Sequence, residues 1–180
     1  LHDNQAIGAE ALIRWRDTDS GRLVPPLDFI AELELSGLIV PVGEWVLRTA
    51  CQQVVQWRKT LPDFYIAVNV SARQFMEEGF VDLVARVLRE EKVAPDAIEI
   101  ELTESMLLDD EVAIRILVGL KKIGVTLSLD DFGTGFSSLG RLARMPFDVI
   151  KIDREFITQM NEGDRERSVV LSIIALSHGL

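Results

Sequence analysis

Polar side chains recur in this sequence wherever a short apolar run ends: Glu10, Asn69, Glu101, the adjacent Asp130 and Asp131, then Lys151 with Asp153 two residues on. Carboxylates gathered without a counter-ion repel one another, and some take up protons. One or two divalent cations let all of them stay ionised. Glu, Asp and Asn offer oxygen donors, which suit Mg or Mn and need neither Cys nor His. The only histidines, His2 and His178, lie near the ends of the sequence, which argues against a zinc hydrolase. Asp131 beside Asp130 would let one carboxylate bridge two metals while its neighbour serves the second.

Each of these residues also has an ordinary explanation when taken singly. Asp-Asp before Gly is a common turn or cap, a buried Lys is often an ion-pair partner, and a strand Asn is often a hydrogen-bonded core amide. The same kind of group at five strand ends is harder to assign to coincidence.

The elements that must carry these groups alternate. Ile7 to Trp15 reads as a strand running into a loop, Tyr65 to Val70, Ala97 to Thr103 and Asp148 to Asp153 as strands, and Val125 to Gly135 as a strand ending in two acids and a glycine-rich turn. Asp17 to Gly21 has turn chemistry. Helices are predicted between Leu27 and Leu38, from about Val42, over Phe80 to Leu88, from Asp109-Asp110 to near Gly124, from Ser137 to Arg144, and from about Arg165 to Ser177. In the second of these, Val46, Leu47, Ala50, Cys51 and Val54 share one face, so Cys51 is expected to pack, as are Trp45 and Trp57. The charges around Glu77-Glu78 and Glu90-Glu91 are expected to be a solvated face. Short apolar strands alternating with helices indicate a parallel α/β sheet, either open and doubly wound or closed into a barrel. In both forms the C-terminal strand ends share one face.

At 180 residues and 48% hydrophobic, the chain can bury the core of one domain, residues 1–180, with no second domain. A net charge of -10 argues against DNA or RNA polymers as partners. The lone Cys51 permits no internal disulfide, and no apolar run reaches a membrane span, so a cytoplasmic location is expected. Other domains of a full-length protein could still anchor it to a membrane.

Gly8-Ala-Glu-Ala-Leu-Ile-Arg-Trp15, Asn69-Val-Ser71, Glu101-Leu-Thr-Glu104, Asp130-Asp-Phe-Gly-Thr-Gly135 and Lys151-Ile-Asp153 together resemble EAL domains, bacterial cyclic-di-GMP phosphodiesterases, in that family's order. The resemblance implies a TIM-type (β/α)8 barrel and hydrolysis of cyclic-di-GMP to linear pGpG with two Mg or Mn ions. By motif position Glu10, Asn69, Glu101 and Asp130 would ligate one ion, and Asp130 with Asp131 the second. Glu10, Asp130 and Lys151 would carry the catalysis, Lys151 by orienting or activating the attacking water. Arg14, Leu12 and Asp131 would contact substrate, Arg14 through its forked donors. Glu104 would brace the loop after Asp131, Gly133 and Gly135 would let that loop bend, and Asp153 would be an outer partner.

A TIM barrel takes about 250 residues, and five central strands are legible here. The family's N-terminal Gln-Pro strand and its later Glu-Gly-Val-Glu and Gln-Gly strands have no counterpart. The chain is therefore expected to be an incomplete barrel from a longer protein, fused to sensory or diguanylate cyclase domains and homodimeric. The alternative is a catalytically silent EAL domain that binds cyclic-di-GMP as a receptor or dimerisation module. Another Mg-dependent α/β barrel enzyme would fit the bare constellation but not the motif order.

Overall fold

The structure, a computed structural model, describes residues 5–107, 110–133, 139–159 and 164–177. Five parallel strands form one sheet in the order β1 (Gly8–Ala11), β4 (Tyr65–Asn69), β5 (Ile98–Thr103), β6 (Thr126–Phe132) and β7 (Val149–Ile152). A two-residue hairpin, β2 (Trp15–Arg16) with β3 (Leu23–Val24), stands apart as an antiparallel pair. The strand running into a loop over Ile7 to Trp15, and the turn at Asp17 to Gly21, are both present, but the two short strands that flank the turn were not expected. That turn is built by Asp17, whose Oδ1 accepts from the amides of Asp19 and Ser20 at 3.0 and 2.7 Å.

Helices α1 (Ile30–Ser36) and α2 (Ile39–Trp57) link β3 to β4, and α3 (Ala72–Phe75) and α4 (Phe80–Glu91) link β4 to β5. Then come α5 (Asp110–Ile123), α6 (Leu139–Leu142), α7 (Arg154–Gln159) and α8 (Asp164–Ser177). Of the expected helix starts, Asp109 and Ser137 lie outside the described residues, and α3 and α7 went unpredicted. The Ser71-x-x-Gln74 capping box that starts α3 was present in the sequence.

Side-chain alternation along each strand separates two populations. Ile98, Ile100 and Leu102 of β5 and Leu127 and Leu129 of β6 are buried in one apolar cluster with Leu47, Cys51 and Val54 of α2, Val84 of α4, and Leu117 and Leu120 of α5. Each such side chain contributes about 1.5–3 kcal/mol on burial. The intervening residues, Glu99, Glu101 and Thr103 on β5 and Thr126, Ser128 and Asp130 on β6, belong to the other face of the sheet. That face holds the polar residues of the strand ends.

Cys51 is fully buried, and burial pushes its thiol up to about 12, as expected of a packing residue. Trp45 and Trp57 differ from expectation, at 59% and 37% exposed. Both border a groove of about 240 Å³ beside β1 and lie outside the core stripe of α2. Trp57 keeps one edge-on ring contact, to Phe64 at 5.2 Å. Glu90 and Glu91 are also more than a solvated face: both pair with Arg48 of α2, at 2.6 and 3.2 Å, and lock α4 to α2. Among the described residues no helix is long and apolar enough to cross a membrane.

Candidate functional site

The sheet register brings the predicted residues together from strands far apart in sequence. Glu10 lies opposite Ala67, two residues before Asn69, and Asn69 Nδ2 donates to Glu10 Oε1 at 2.7 Å. Asn69 lies opposite Glu101, and Thr103 opposite Asp130, so four neighbouring strands each bring a candidate ligand. From β7, Lys151 Nζ donates to Glu101 Oε1 at 2.5 Å and sits 3.9 Å from Asp130 Oδ1.

Glu101 is 2% exposed, and its other oxygen, Oε2, is buried without a hydrogen-bond partner. Burial raises its carboxyl above the usual range, opposed by the hydrogen bond and charge of Lys151. Burial alone would lower Lys151, but its bond to Glu101 and the charges of Glu101, Asp130 and Glu10 prevail and raise it. The lysine is therefore an ammonium at neutral pH.

Asp130 and Asp131 are adjacent on a strand, where consecutive side chains ordinarily oppose one another. Here the β6–β7 register shifts between Leu129 and Phe132, and Asp131 takes a left-handed φ of 54°. An irregularity of this kind re-aims side chains at a strand end. Burial first, then the charges of Asp130 and Asp153, raise the Asp131 carboxyl. Asp153 also accepts the Glu155 amide at 2.6 Å, where α7 begins, so it serves both the helix start and the acid cluster.

Glu104 is buried, and its Oε2 accepts the Gly133 amide at 3.3 Å. Gly133 has a φ of 105°, a conformation in which glycine is at ease. Gly135 lies outside the described residues. Leu12 is 57% exposed, and the exposed Arg14 donates to the neighbouring Ile13 carbonyl at 2.7 Å. Neither is drawn into the acid cluster.

Two supporting groups were given no role from the sequence. Glu99 is 6% exposed beneath Glu101, and burial raises its carboxyl, with Ser128 and Lys151 opposing. Its alternation with Glu101 was the available signal. Gln74 is buried and accepts the Ser71 amide at 3.2 Å, while Ser71 Oγ accepts the Gln74 amide at 3.2 Å. This box fixes the backbone just after Asn69.

The donor set is hard and oxygen-rich, and the orphaned Glu101 Oε2 is a buried acceptor of the kind a cation would satisfy. Among the described residues no three His, Cys, Asp or Glu side chains are gathered closely enough to enclose an ion as their rotamers stand. Glu101 is turned to Lys151 and Glu10 to Asn69, and rotamer changes of these side chains would be needed to converge on a shared ion. The residues fit divalent cations in donor type. A cavity of about 590 Å³ between α2 and α4 includes Asn69 and Gln74 in its lining.

A family model described as "EAL domain" matches residues 1–180. The cyclic di-GMP phosphodiesterase PdeR of Escherichia coli is 42% identical over 172 residues, 95% of this chain and 26% of the relative. The bifunctional diguanylate cyclase/cyclic di-GMP phosphodiesterase MucR of Pseudomonas aeruginosa is 42% identical over 176 residues, 97% of this chain and 26% of the relative. The chain thus spans about a quarter of the length of these curated relatives. Among solved structures, "PaMucR Phosphodiesterase, c-di-GMP complex" superposes with a TM-score of 0.89 at 41% identity, covering 96% of this chain and 70% of that one.

Proposed function

Because this chain belongs to the EAL domain family, we propose that it hydrolyses one phosphodiester bond of cyclic di-GMP to linear pGpG, using two divalent cations, Mg or Mn. The observation that carries this reading is the set Glu10, Asn69, Glu101 and Asp130 on four neighbouring parallel strands, with the Lys151 ammonium set against two of them. The relatives named as cyclic di-GMP phosphodiesterases support the choice of substrate.

Glu10, Asn69, Glu101 and Asp130 would hold one cation, and Asp130 with Asp131 the second. When bound, such cations lower the pKa of water and neutralise charge growing on the phosphoryl oxygens. The protein's own groups supply the rest. Lys151, held protonated by its acidic neighbours, orients the attacking water and adds positive charge rather than removing a proton. Arg14, which donates to an adjacent carbonyl, can turn its forked donors onto a substrate phosphate, with Leu12 beside it. Glu104 and Gly133 steady the backbone that presents Asp131.

In the native protein the five-stranded sheet would be part of a TIM-type (β/α)8 barrel, and the active form would be a homodimer. Fusion to a cyclase or sensory domain follows the pattern of the bifunctional MucR relative. The test is incubation of the native full-length protein with cyclic di-GMP and Mg, followed by chromatography for pGpG. Product formation that stops on chelation and in Glu10→Ala is expected. Tight binding without product would replace the enzyme reading with a receptor.

A further inference from the structure

Asp131 and Gly133 both have left-handed φ values, 54° and 105°. L-residues adopt this region uncommonly, although Asp tolerates it better than most. Two such residues within three positions need something to hold them. One restraint is the bond from the Gly133 amide to Glu104, long at 3.3 Å. Another is an aromatic ring. A Cβ placed on Gly133 would meet Phe156 Cε2 at 2.7 Å and Cζ at 3.0 Å, so the ring lies directly on the glycine.

Phe156 belongs to α7, the helix whose start is capped by Asp153, and it is only partly buried. It takes no part in the apolar cluster that forms the core. Its contact at Gly133 falls two residues from a carboxylate that lies within the field of Asp130, Asp153 and Lys151.

We propose that Phe156 is a positioning residue for Asp131: its ring, seated on Gly133, pins the turn after β6 so that the Asp131 carboxylate stays beside Asp130 and Asp153. The proposal rests on the reading of Asp131 as a metal ligand. A Cβ at position 133 would collide with the ring that Phe156 extends from α7.

The test uses the native full-length protein without substrate. Mn2+ binding is followed by calorimetry, and amide exchange at Gly133 by NMR in the absence of metal. Phe156→Ala should speed Gly133 exchange and weaken one class of Mn2+ site about tenfold, the loss expected when the competent arrangement is about a tenth populated. Phe156→Tyr should restore both readouts. Gly133→Ala, strained at a φ of 105° and colliding with the ring, should weaken the same class of site, and Phe156→Ala added to it should cost less than in the wild type, since the ring is already displaced. Native Mn2+ affinity in a folded Phe156→Ala protein would overturn the proposal. So would equal weakening of every Mn2+ site. Wild-type protein that binds Mn2+ yet leaves cyclic di-GMP intact would instead overturn the hydrolase reading and spare this one.

Discussion

Lys151 Nζ stands 2.5 Å from Glu101 Oε1 and 3.9 Å from Asp130 Oδ1, so one ammonium from β7 joins acids of β5 and β6. Removing it by Lys151→Met leaves Glu101, 2% exposed, without its counter-charge. Stability should fall by about 1–3 kcal/mol, the usual cost of a buried charged group left unpaired. Glu101→Gln in the same chain should recover most of that loss. Urea unfolding of the two variants measures it, and a double variant no more stable than Lys151→Met would contradict the assignment.

Burial raises the carboxyls of Glu99 and Glu101 above their ordinary value of 4.5. Between that value and the raised one, the folded chain holds more protons than the unfolded chain. The stabilising contribution is therefore complete below pH 4.5 and is lost as pH rises through the folded values. Without divalent cations, melting temperature should decline from mildly acid to neutral pH. Glu99→Gln should flatten that decline, and a slope unchanged in Glu99→Gln would remove Glu99 as a source.

Gly43 sits inside α2, where Ala would ordinarily gain about 0.5–1 kcal/mol of helix propensity. The sign should reverse here, because a Cβ at Gly43 would land on the buried Gln74 amide. Gly43→Ala is expected to cost about 1–3 kcal/mol through overpacking. It should also weaken Mn2+ binding, since Gln74 caps the helix that begins just after Asn69. A thermal melt that rises in Gly43→Ala would disprove the contact.

Asp148 joins the starts of two strands: its Oδ2 accepts the Leu127 amide at 2.8 Å, and both of its oxygens take the Lys121 ammonium at 2.7 Å. Asp148→Ala strands the Leu127 amide and should cost about 1–3 kcal/mol, whereas Asp148→Asn keeps an acceptor and should cost under about 1 kcal/mol. Chemical denaturation of both variants separates the two bonds. Equal losses would mean that the ion pair carries the effect.

The long elements were legible because their patterns were redundant. Tyr65 to Asn69 is apolar with β-branched members, and Leu47, Ala50, Cys51 and Val54 repeat at helical spacing, so several residues voted for each element. The short ones depend on single interactions. The β2–β3 hairpin hangs on Asp17, α3 on the Ser71–Gln74 box and α7 on Asp153, and no hydrophobic period reveals such pieces. Site residues were legible as strand-end acids, but their pairing was not. Nothing in the spacing of Glu101 and Lys151 says that one carboxylate oxygen takes an ammonium while the other is left bare. The left-handed φ of Asp131 depends likewise on how β6 meets β7.

The parallel pairing of β1 with β4 has a consequence for how the molecule comes together in time. Leu129 pairs with Ile150 across 21 residues, Ile100 with Leu127 across 27 and Ile66 with Ile98 across 32, but Gly8 pairs with Tyr65 across 57. Longer loops cost more to close, by about 0.6 kcal/mol per doubling. Glu10, the first of these acids to be made on the ribosome, is thus expected to be the last to reach its place. Pulsed hydrogen exchange during refolding should find the β1 amides protected after those of β5 and β6, and simultaneous protection would contradict this order.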